Sequence, residues 1–268
     1  MKEKLDVAFV RGSGADLTLS VLGSFQFRFG DSAPALPTGS QRLLAFLALR
    51  DRSVTRLSIA GTLWPDASEQ HAAASLRSAL TRLRGEARAA VEVGDLDIHL
   101  ASGVRVDIRE SKMLAHRLLE PDAPRMDPDA AGAAISALSS DLPPDWYEDW
   151  VLMETAEWRQ LRLHALEAVA EHLSKEGRWA QAIAAAQAAI RAEPLRETSH
   201  AALVRVFIAE GNQIEAISQY ERYRTLLNDE LGLEPTNQIS DLVRDLGRRR
   251  ADETGRDGSS RTPHPSSR

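Results

Sequence analysis

The chain of 268 residues contains no cysteine. This absence excludes a disulfide framework, a thiolate zinc site and a cysteine nucleophile. Its longest apolar run, residues 43–49, is far shorter than the ~20 residues of a membrane-spanning helix. Glu3 and Asp6 stand where a signal peptide would begin its apolar core. We therefore expect a cytoplasmic protein with no membrane contact.

Motifs for catalysis are also missing. The sequence has no His-Glu-x-x-His, no Gly-x-Ser-x-Gly, no glycine-rich dinucleotide loop and no Gly-x4-Gly-Lys-Ser/Thr. Its 7 histidines are spread from residue 71 to residue 264 without the spacing of metal ligands. We predict that the protein is not an enzyme and that it holds no cofactor and no metal.

The distribution of charge divides the chain. Residues 1–106 carry 13 basic and 11 acidic residues, whereas the remainder is acidic enough to give the whole chain a net charge of −6. Residues 42–88 alone hold eight arginines against four acids. A locally basic segment joined to an acidic remainder favours a nucleic-acid contact near the N-terminus, although ordinary surface scatter gives the same count.

The pattern of residues 17–108 predicts strands, then three helices, then a hairpin. Alternating apolar residues over 17–29 predict two strands, and Ala35-Leu36 could add a short return strand. Ser40 is the candidate cap of the first helix, and the second begins near Thr55 and ends before Pro65. We expect the second helix to bury the following residues: Leu57, Ala60, Leu63 and Trp64. Ser68 or Asp66 would cap a third helix that extends to about Ala89.

The third helix has one apolar side and one small, polar side. At 100° per residue the apolar side gathers Ala72, Leu76, Ala79, Leu80, Leu83 and Ala87. The opposite side presents Ala74, Ser78, Thr81 and Gly85, with Ser75 and arginines 77, 82, 84 and 88 along its flanks. Small side chains permit close approach to a major groove, and arginine reaches phosphates or guanine edges. The alternative is a solvated amphipathic face.

The segment after this helix favours a winged helix. Three short strand patterns within residues 91–108 predict a β-meander or hairpin, whose tip we place at residues 101–103. In that fold the third helix reads the groove and the hairpin tip touches the DNA backbone. His99 and Arg105 are then candidate phosphate contacts, or simply exposed strand residues.

The remainder predicts an all-α domain. Helices are expected at about 109–119, 129–139 and 149–175, followed by a repeat in which Glu176-Gly177 recurs as Glu210-Gly211, an offset of 34 residues. This period, with glycine in the turn between helices, is typical of tetratricopeptide repeats. We predict a winged-helix domain over 17–108, a tetratricopeptide-like domain over 109–247 and a disordered tail over 248–268.

Motifs in both predicted domains resemble the Streptomyces antibiotic regulatory protein (SARP) family. The N-terminal ones are Gln41-Arg42, Leu63-Trp64-Pro65 and Thr81-Arg82-Leu83-Arg84. The C-terminal ones, residues 193–197 (EPLRE) and 229–235 (DELGLEP), resemble that family's bacterial transcriptional activation domain. Val104 follows Gly103 where the family's wing has an aromatic residue after its glycine.

The resemblance implies an α+β winged helix followed by an all-α domain, and a transcriptional activator. Such proteins bind direct repeats in promoter DNA as a homodimer and recruit RNA polymerase, often at a specialised-metabolite gene cluster. It implies that Arg77, Ser78, Thr81 and Arg82 read bases or phosphates and that Arg84 and Arg42 contact the DNA backbone. It also implies that the loop between the second and third helices faces the polymerase, through Asp66, Ser68, Glu69 and Gln70.

A second hypothesis stays open at this point. The repeat domain could be the working surface of a protein-binding adaptor whose winged helix is degenerate. The acidic net charge favours the adaptor, whereas the arginines that flank the third helix favour DNA binding.

Overall fold

The computed structural model describes residues 17–121, 125–143, 146, 148–244 and 246. These residues form two compact units, of which the first ends at Ala165 and the second begins at Leu166. The predicted order of sheet, helices, hairpin and all-α region is confirmed. No helix in the described ranges is long and apolar enough to cross a membrane.

Two small sheets frame the helices of the first unit. One sheet has the order β2 (Gln26–Phe29), β1 (Leu17–Ser20) and β6 (Val104–Val106), with β6 parallel to β1. The other has the order β3 (Val54–Thr55), β5 (Asp97–Leu100) and β4 (Val91–Val93), all antiparallel. In place of the expected strand at Ala35-Leu36 there is only an isolated bridge between Phe29 and Ser32.

The hairpin tip differs from the prediction. β4 and β5 form the hairpin, and its turn is residues 94–96 rather than residues 101–103. The turn at 101–103 leads instead to β6, which pairs with β1 in the other sheet. The N–H of Gly94 donates to the carbonyl of Asp97 at 2.9 Å and closes this turn. Alternation alone missed this, since both turns separate short apolar strands.

Four helices lie between the strands of the first unit: α1 (Thr38–Ala48), α2 (Arg56–Leu63), α3 (Glu69–Arg82) and α4 (Glu86–Ala89). α2 begins next to Thr55, where its start was predicted, and Thr55 caps it. Of the two predicted candidates for the cap of α3, Ser68 takes that position. Ser40 is not a cap, because it is buried inside α1 and its hydroxyl donates to the carbonyl of Ala79. Leu57 is 65% exposed, and Ile59 takes the predicted core place on α2.

The third helix is shorter than predicted. It ends at Arg82, and Gly85 has a φ of 53° before the short α4 begins. This left-handed conformation is accessible to glycine and interrupts a continuous helix. Leu83 and Ala87 are nevertheless buried, so the apolar pattern predicted correctly which residues enter the core.

The helices α5 (Asp107–Leu119), α6 (Pro128–Ser139) and the first half of α7 (Asp149–Lys175) complete the first unit. Arg109 donates to the carbonyls of Leu47 and Ala48 at 2.8 and 2.9 Å, and thereby satisfies the C-terminal end of α1. The ring of Trp150 meets that of Phe46 edge to face at 5.4 Å. Residues beyond 108 therefore pack directly on α1 of the predicted DNA-binding domain.

The second unit consists of the rest of α7 with α8 (Trp179–Ala192), α9 (Glu197–Glu210) and α10 (Gln213–Leu231), and residues 237–244 are helical. Gly177 and Gly211 have φ values of 72° and 88°, so the repeated glycines end their helices in the left-handed conformation. Ala182 and Ala216, 34 residues apart, are both fully buried. The predicted tail over 248–268 lies outside the described residues.

Candidate nucleic-acid interface

The exposed side of α3 combines small residues with arginines at its edges. At 100° per residue, Arg77 and Arg82 lie about 140° apart, with Thr81 and Ser78 between them. All four side chains are exposed. The Thr81 hydroxyl donates to the carbonyl of Arg77 at 2.8 Å. Arginine side chains can reach guanine or phosphate in a major groove, which is the contact predicted for this face.

The arginines of this face have no acidic partners. Within the described part of the chain, Arg77, Arg82 and Arg84 make no ion pair and donate no side-chain hydrogen bond. Arg84 follows the end of α3 and so does not share its helical face. Unpaired guanidinium groups keep their full capacity to bind phosphate or a base edge.

Arg42, predicted to contact the DNA backbone, is occupied within the protein. Its Nη2 donates to the carbonyl of Leu63 at 2.6 Å, and its guanidinium lies 5.9 Å from the ring centre of Trp64. Its Nε lies 2.7 Å from Oε1 of Glu148, without the geometry of a hydrogen bond. Arg42 thus joins α1 to the end of α2 and to the residue that precedes α7.

The two predicted phosphate contacts near the hairpin are also paired. His99 on β5 lies 3.1 Å from Oε2 of Glu92 on β4. Arg105 on β6 donates two hydrogen bonds to Glu110, at 2.9 and 3.2 Å. Each side chain would have to exchange a carboxylate for a phosphate. The structure therefore does not bring them together with the arginines of α3 as one unpaired basic surface.

The predicted polymerase-facing loop is shorter than its sequence range. Asp66 lies in the loop and is exposed, whereas Ser68 caps α3. Glu69 and Gln70 already belong to the first turn of that helix. Gln70 falls within about 20° of Arg77 around the helix, so it faces the same way as the arginine. In a helix, residues seven apart in the sequence lie on the same side. The sequence could therefore have shown that Gln70 lies beside Arg77, had Gln70 been predicted to be helical.

The C-terminal motif at residues 193–197 helps to hold the second unit together. Arg196 donates to Glu167 at 2.9 Å, and the hydroxyls of Thr198 and Ser199 donate to the same carboxylate. Burial alone would raise the pKa of Glu167, but these donors hold it below its usual value. Glu197 accepts the backbone N–H of Thr236 at 2.9 Å. The residues that carry the family resemblance here are structural.

A buried histidine lies next to this motif. His200 Nε2 donates to the carbonyl of Pro194 at 2.8 Å, and the amide of Gln219 donates to Nδ1 at 2.8 Å. The ring stacks on Tyr223 at 4.3 Å. Both nitrogens are satisfied in the neutral form, and burial lowers the pKa of His200. We therefore assign it to the core rather than to a ligand site.

The C-terminal region matches a known protein-family model. Residues 119–246 match the model of the bacterial transcriptional activator domain. This region of the chain is therefore similar to bacterial transcriptional activator domains. Within the described residues, no group of three or more His, Asp or Glu side chains could hold a metal ion.

Two relatives are similar in sequence to most of the chain, including the region of the activator-domain match. The regulatory protein AfsR of Streptomyces coelicolor is 29% identical over 248 residues, which cover 86% of this chain and 24% of AfsR. AfsR of Streptomyces griseus is 26% identical over 245 residues, covering 84% and 24%. This chain therefore spans about a quarter of the length of the curated relatives it matches.

A solved structure has the same fold. EmbR of Mycobacterium tuberculosis, determined with a low-affinity phosphopeptide, matches with a TM-score of 0.65 and 21% identity. The match covers 87% of this chain and 65% of EmbR. The predicted fold, a winged helix followed by a tetratricopeptide-like activator domain, is confirmed, as is the resemblance to the SARP family. That family is one of transcription regulators and not a class of enzymes.

Proposed function

We propose that this protein is a sequence-specific DNA-binding activator of transcription, and that α3 reads the major groove. The observation that carries the proposal is the exposed face of α3, where Arg77 and Arg82 flank Ser78 and Thr81 without any acidic partner among the described residues. A face of this kind on a winged helix suits direct contact with base edges and phosphates.

The remaining basic residues are proposed as backbone contacts of unequal strength. Arg84 is the strongest candidate, because its guanidinium makes no ion pair in the described ranges. Arg42, His99 and Arg105 are weaker candidates, since each would exchange a carboxylate already within 3.1 Å for a phosphate. The turn at 94–96, with Asp95 exposed, replaces residues 101–103 as the proposed hairpin tip.

The activator would bind as a homodimer on direct repeats in the promoter and recruit RNA polymerase there. Repeats spaced by about one helical turn, ~10.5 bp, would place both α3 helices on the same side of the DNA. The loop after α2, with Asp66, and the adjoining Ser68 and Glu69 are the proposed polymerase-facing element. Gln70 was predicted with them, but it lies on the side of α3 that carries Arg77. A specialised-metabolite gene cluster is the proposed target, and the cytoplasm is the proposed place of action.

The domain boundaries stay a prediction. We propose that residues 17–108 read the DNA and that residues 109–247 serve activation. Since Arg109 and Trp150 pack on α1, the first compact unit is the better piece to produce when DNA binding is tested in isolation.

Selection from random double-stranded DNA with the full chain tests the proposal. We expect enrichment of a tandem direct repeat, and an affinity for it that falls steeply with salt. Three to five phosphate contacts per protomer predict a slope of log K against log salt of about −3 to −4.5 for each bound protomer. No enrichment at low salt would contradict the proposal and would favour the protein-binding adaptor.

A further inference from the structure

A stripe of exposed side chains along α3 begins at Gln70, in the first turn of the helix. At 100° per residue, its members fall within about 60° of one another around the helix axis, and all of them are exposed: Gln70, Ala74, Arg77 and Thr81. Glu69 lies about 100° from Gln70 and is outside the stripe. The stripe therefore holds two long side chains that donate hydrogen bonds, Gln70 and Arg77, and no acid.

The amide of Gln70 is available to a ligand. Within the part of the chain that the structure describes, it makes no hydrogen bond, and the guanidinium of Arg77 makes none either. Ala74, which lies between them on the stripe, has no side chain beyond Cβ. The helix can therefore approach another surface closely between two side chains whose polar groups are unpaired.

The two side chains match different partners. The amide of Gln70 has both a donor and an acceptor, whereas a phosphate offers acceptors alone. In the major groove adenine presents an acceptor at N7 and a donor at N6, so Nε2 and Oε1 of a glutamine can bond to both. The guanidinium of Arg77 has donors alone, and these match the two acceptors of guanine, O6 and N7.

The geometry of the helix fixes the distance between these two contacts. Gln70 and Arg77 are seven residues apart, which is about 10.5 Å along the helix axis. Base pairs follow one another at about 3.4 Å, so this distance spans about three base pairs. Arg82 lies about 140° around the helix from Arg77 and does not belong to the stripe.

We propose that Gln70 is a specificity-determining residue that reads an adenine, in line with Arg77, which reads a guanine about three base pairs away. Each repeat of the bound site would then carry an A·T pair and a G·C pair at this separation. The inference rests on the proposed function, because it names the bases that the exposed face of α3 recognises.

Affinities of the full chain for the selected site and for its single-base-pair variants test the assignment. Wild type should prefer A·T to the other pairs at the adenine position by about five- to 150-fold. Gln70→Ala should remove this preference and retain the preference for guanine, and Arg77→Ala should do the reverse. Gln70→Glu should change the preference from A·T to C·G, because a carboxylate accepts from N4 of cytosine.

Gln213→Ala is the matched control, because Gln213 is also an exposed glutamine in the first turn of a helix, α10 of the second unit. It should leave both preferences unchanged. The retained guanine preference of Gln70→Ala would show that this variant is folded and bound in the same register.

Three results would overturn the proposal while leaving the proposed function intact. They are an adenine preference that survives in Gln70→Ala, an equal loss of the adenine and guanine preferences in that variant, and selected repeats without an A·T pair at this separation from the guanine. Failure of wild type to select any DNA site would instead contradict the proposed function itself.

Discussion

The arginines on the exposed face of α3 differ from other arginines of the first unit in whether the protein itself binds their side chains. Arg77 and Arg82 are exposed and have no acidic partner in the described residues. Arg50, Arg105 and Arg109 all bind carboxylates or helix-terminal carbonyls of the protein itself. These three arginines stabilise the first unit, whereas the donors of Arg77 and Arg82 bond to no group among the described residues.

This contrast explains why the count of arginines overstates the DNA-binding surface. Eight arginines fall within residues 42–88, but Arg42, Arg50, Arg56 and Arg88 donate to groups of the protein. An arginine that is already bonded must give up that bond before it can bind phosphate. The predictions below test this difference between free and engaged arginines.

The largest effect is expected from removing the free arginines. The double variant Arg77→Ala/Arg82→Ala should lose about 2–6 kcal/mol of binding to the selected site, at about 1–3 kcal/mol for each arginine. Electrophoretic mobility or fluorescence anisotropy measures the loss. The control is Arg117→Ala, which removes an exposed arginine from α5 and should leave the affinity unchanged. If the double variant binds the selected site with wild-type affinity, then these arginines of α3 do not read the DNA.

An intermediate effect is expected for Arg109, whose side chain is hydrogen-bonded within the protein. This effect is on stability rather than on DNA binding. Arg109→Met removes the donors from the C-terminal carbonyls of α1 and should cost about 1.5–3 kcal/mol of the free energy of unfolding. Denaturant unfolding measures the loss against Arg117→Met on the same helix. At a temperature where the variant is folded, its DNA affinity should equal that of wild type. A loss of DNA affinity without a loss of stability would contradict the account, because it would show that an arginine bonded within the protein also contacts DNA.

A smaller effect is expected for Arg105, the arginine on β6. Arg105→Ala should change the free energy of DNA binding by less than about 1 kcal/mol, because any phosphate contact would replace the existing pair with Glu110. The salt dependence of the DNA affinity tests whether Arg105 contacts a phosphate. A slope that becomes shallower by about 0.9 would identify Arg105 as a phosphate contact after all.

The smallest effect concerns the pH dependence of the second unit. The pKa of His200 is lowered by burial, so the unfolded chain binds a proton at a higher pH than the folded chain does. The contribution of His200 to stability is complete above its unfolded pKa, about 6.5, and is lost as the pH falls towards its folded pKa. Thermal unfolding between pH 8 and 5 should therefore depend less on pH in His200→Gln than in wild type. Identical pH profiles would exclude this titration.

Periodicity was enough to predict most helices and the core side of α3. It predicted the bounds of α7 at residues 149 and 175, and the apolar side of α3 is buried at Ala72, Leu76 and Ala79. The glycine repeat also predicted the two helix ends at Gly177 and Gly211, because left-handed backbone there favours glycine. These features depend on residues that are close in the sequence.

Features that depend on distant residues could not be predicted in this way. The pairing of β6 with β1 joins strands more than eighty residues apart, so the hairpin tip was placed at the wrong turn. Ser40 looked like a cap because its partner, the carbonyl of Ala79, lies on another helix. Likewise, nothing in the sequence near Arg42 indicates that Glu148 neutralises it.

Site-directed cross-linking to DNA tests most directly whether α3 occupies the major groove. Because the chain has no cysteine, Ser78→Cys introduces a unique thiol in the middle of the exposed face of α3 and can carry a photoactivated cross-linker. The matched control is Ser136→Cys on the exposed side of α6. We predict cross-links from position 78 to major-groove atoms of bases within each repeat of the selected site, and none from position 136. Cross-links from position 136 alone, or equally from both positions, would contradict groove reading by α3.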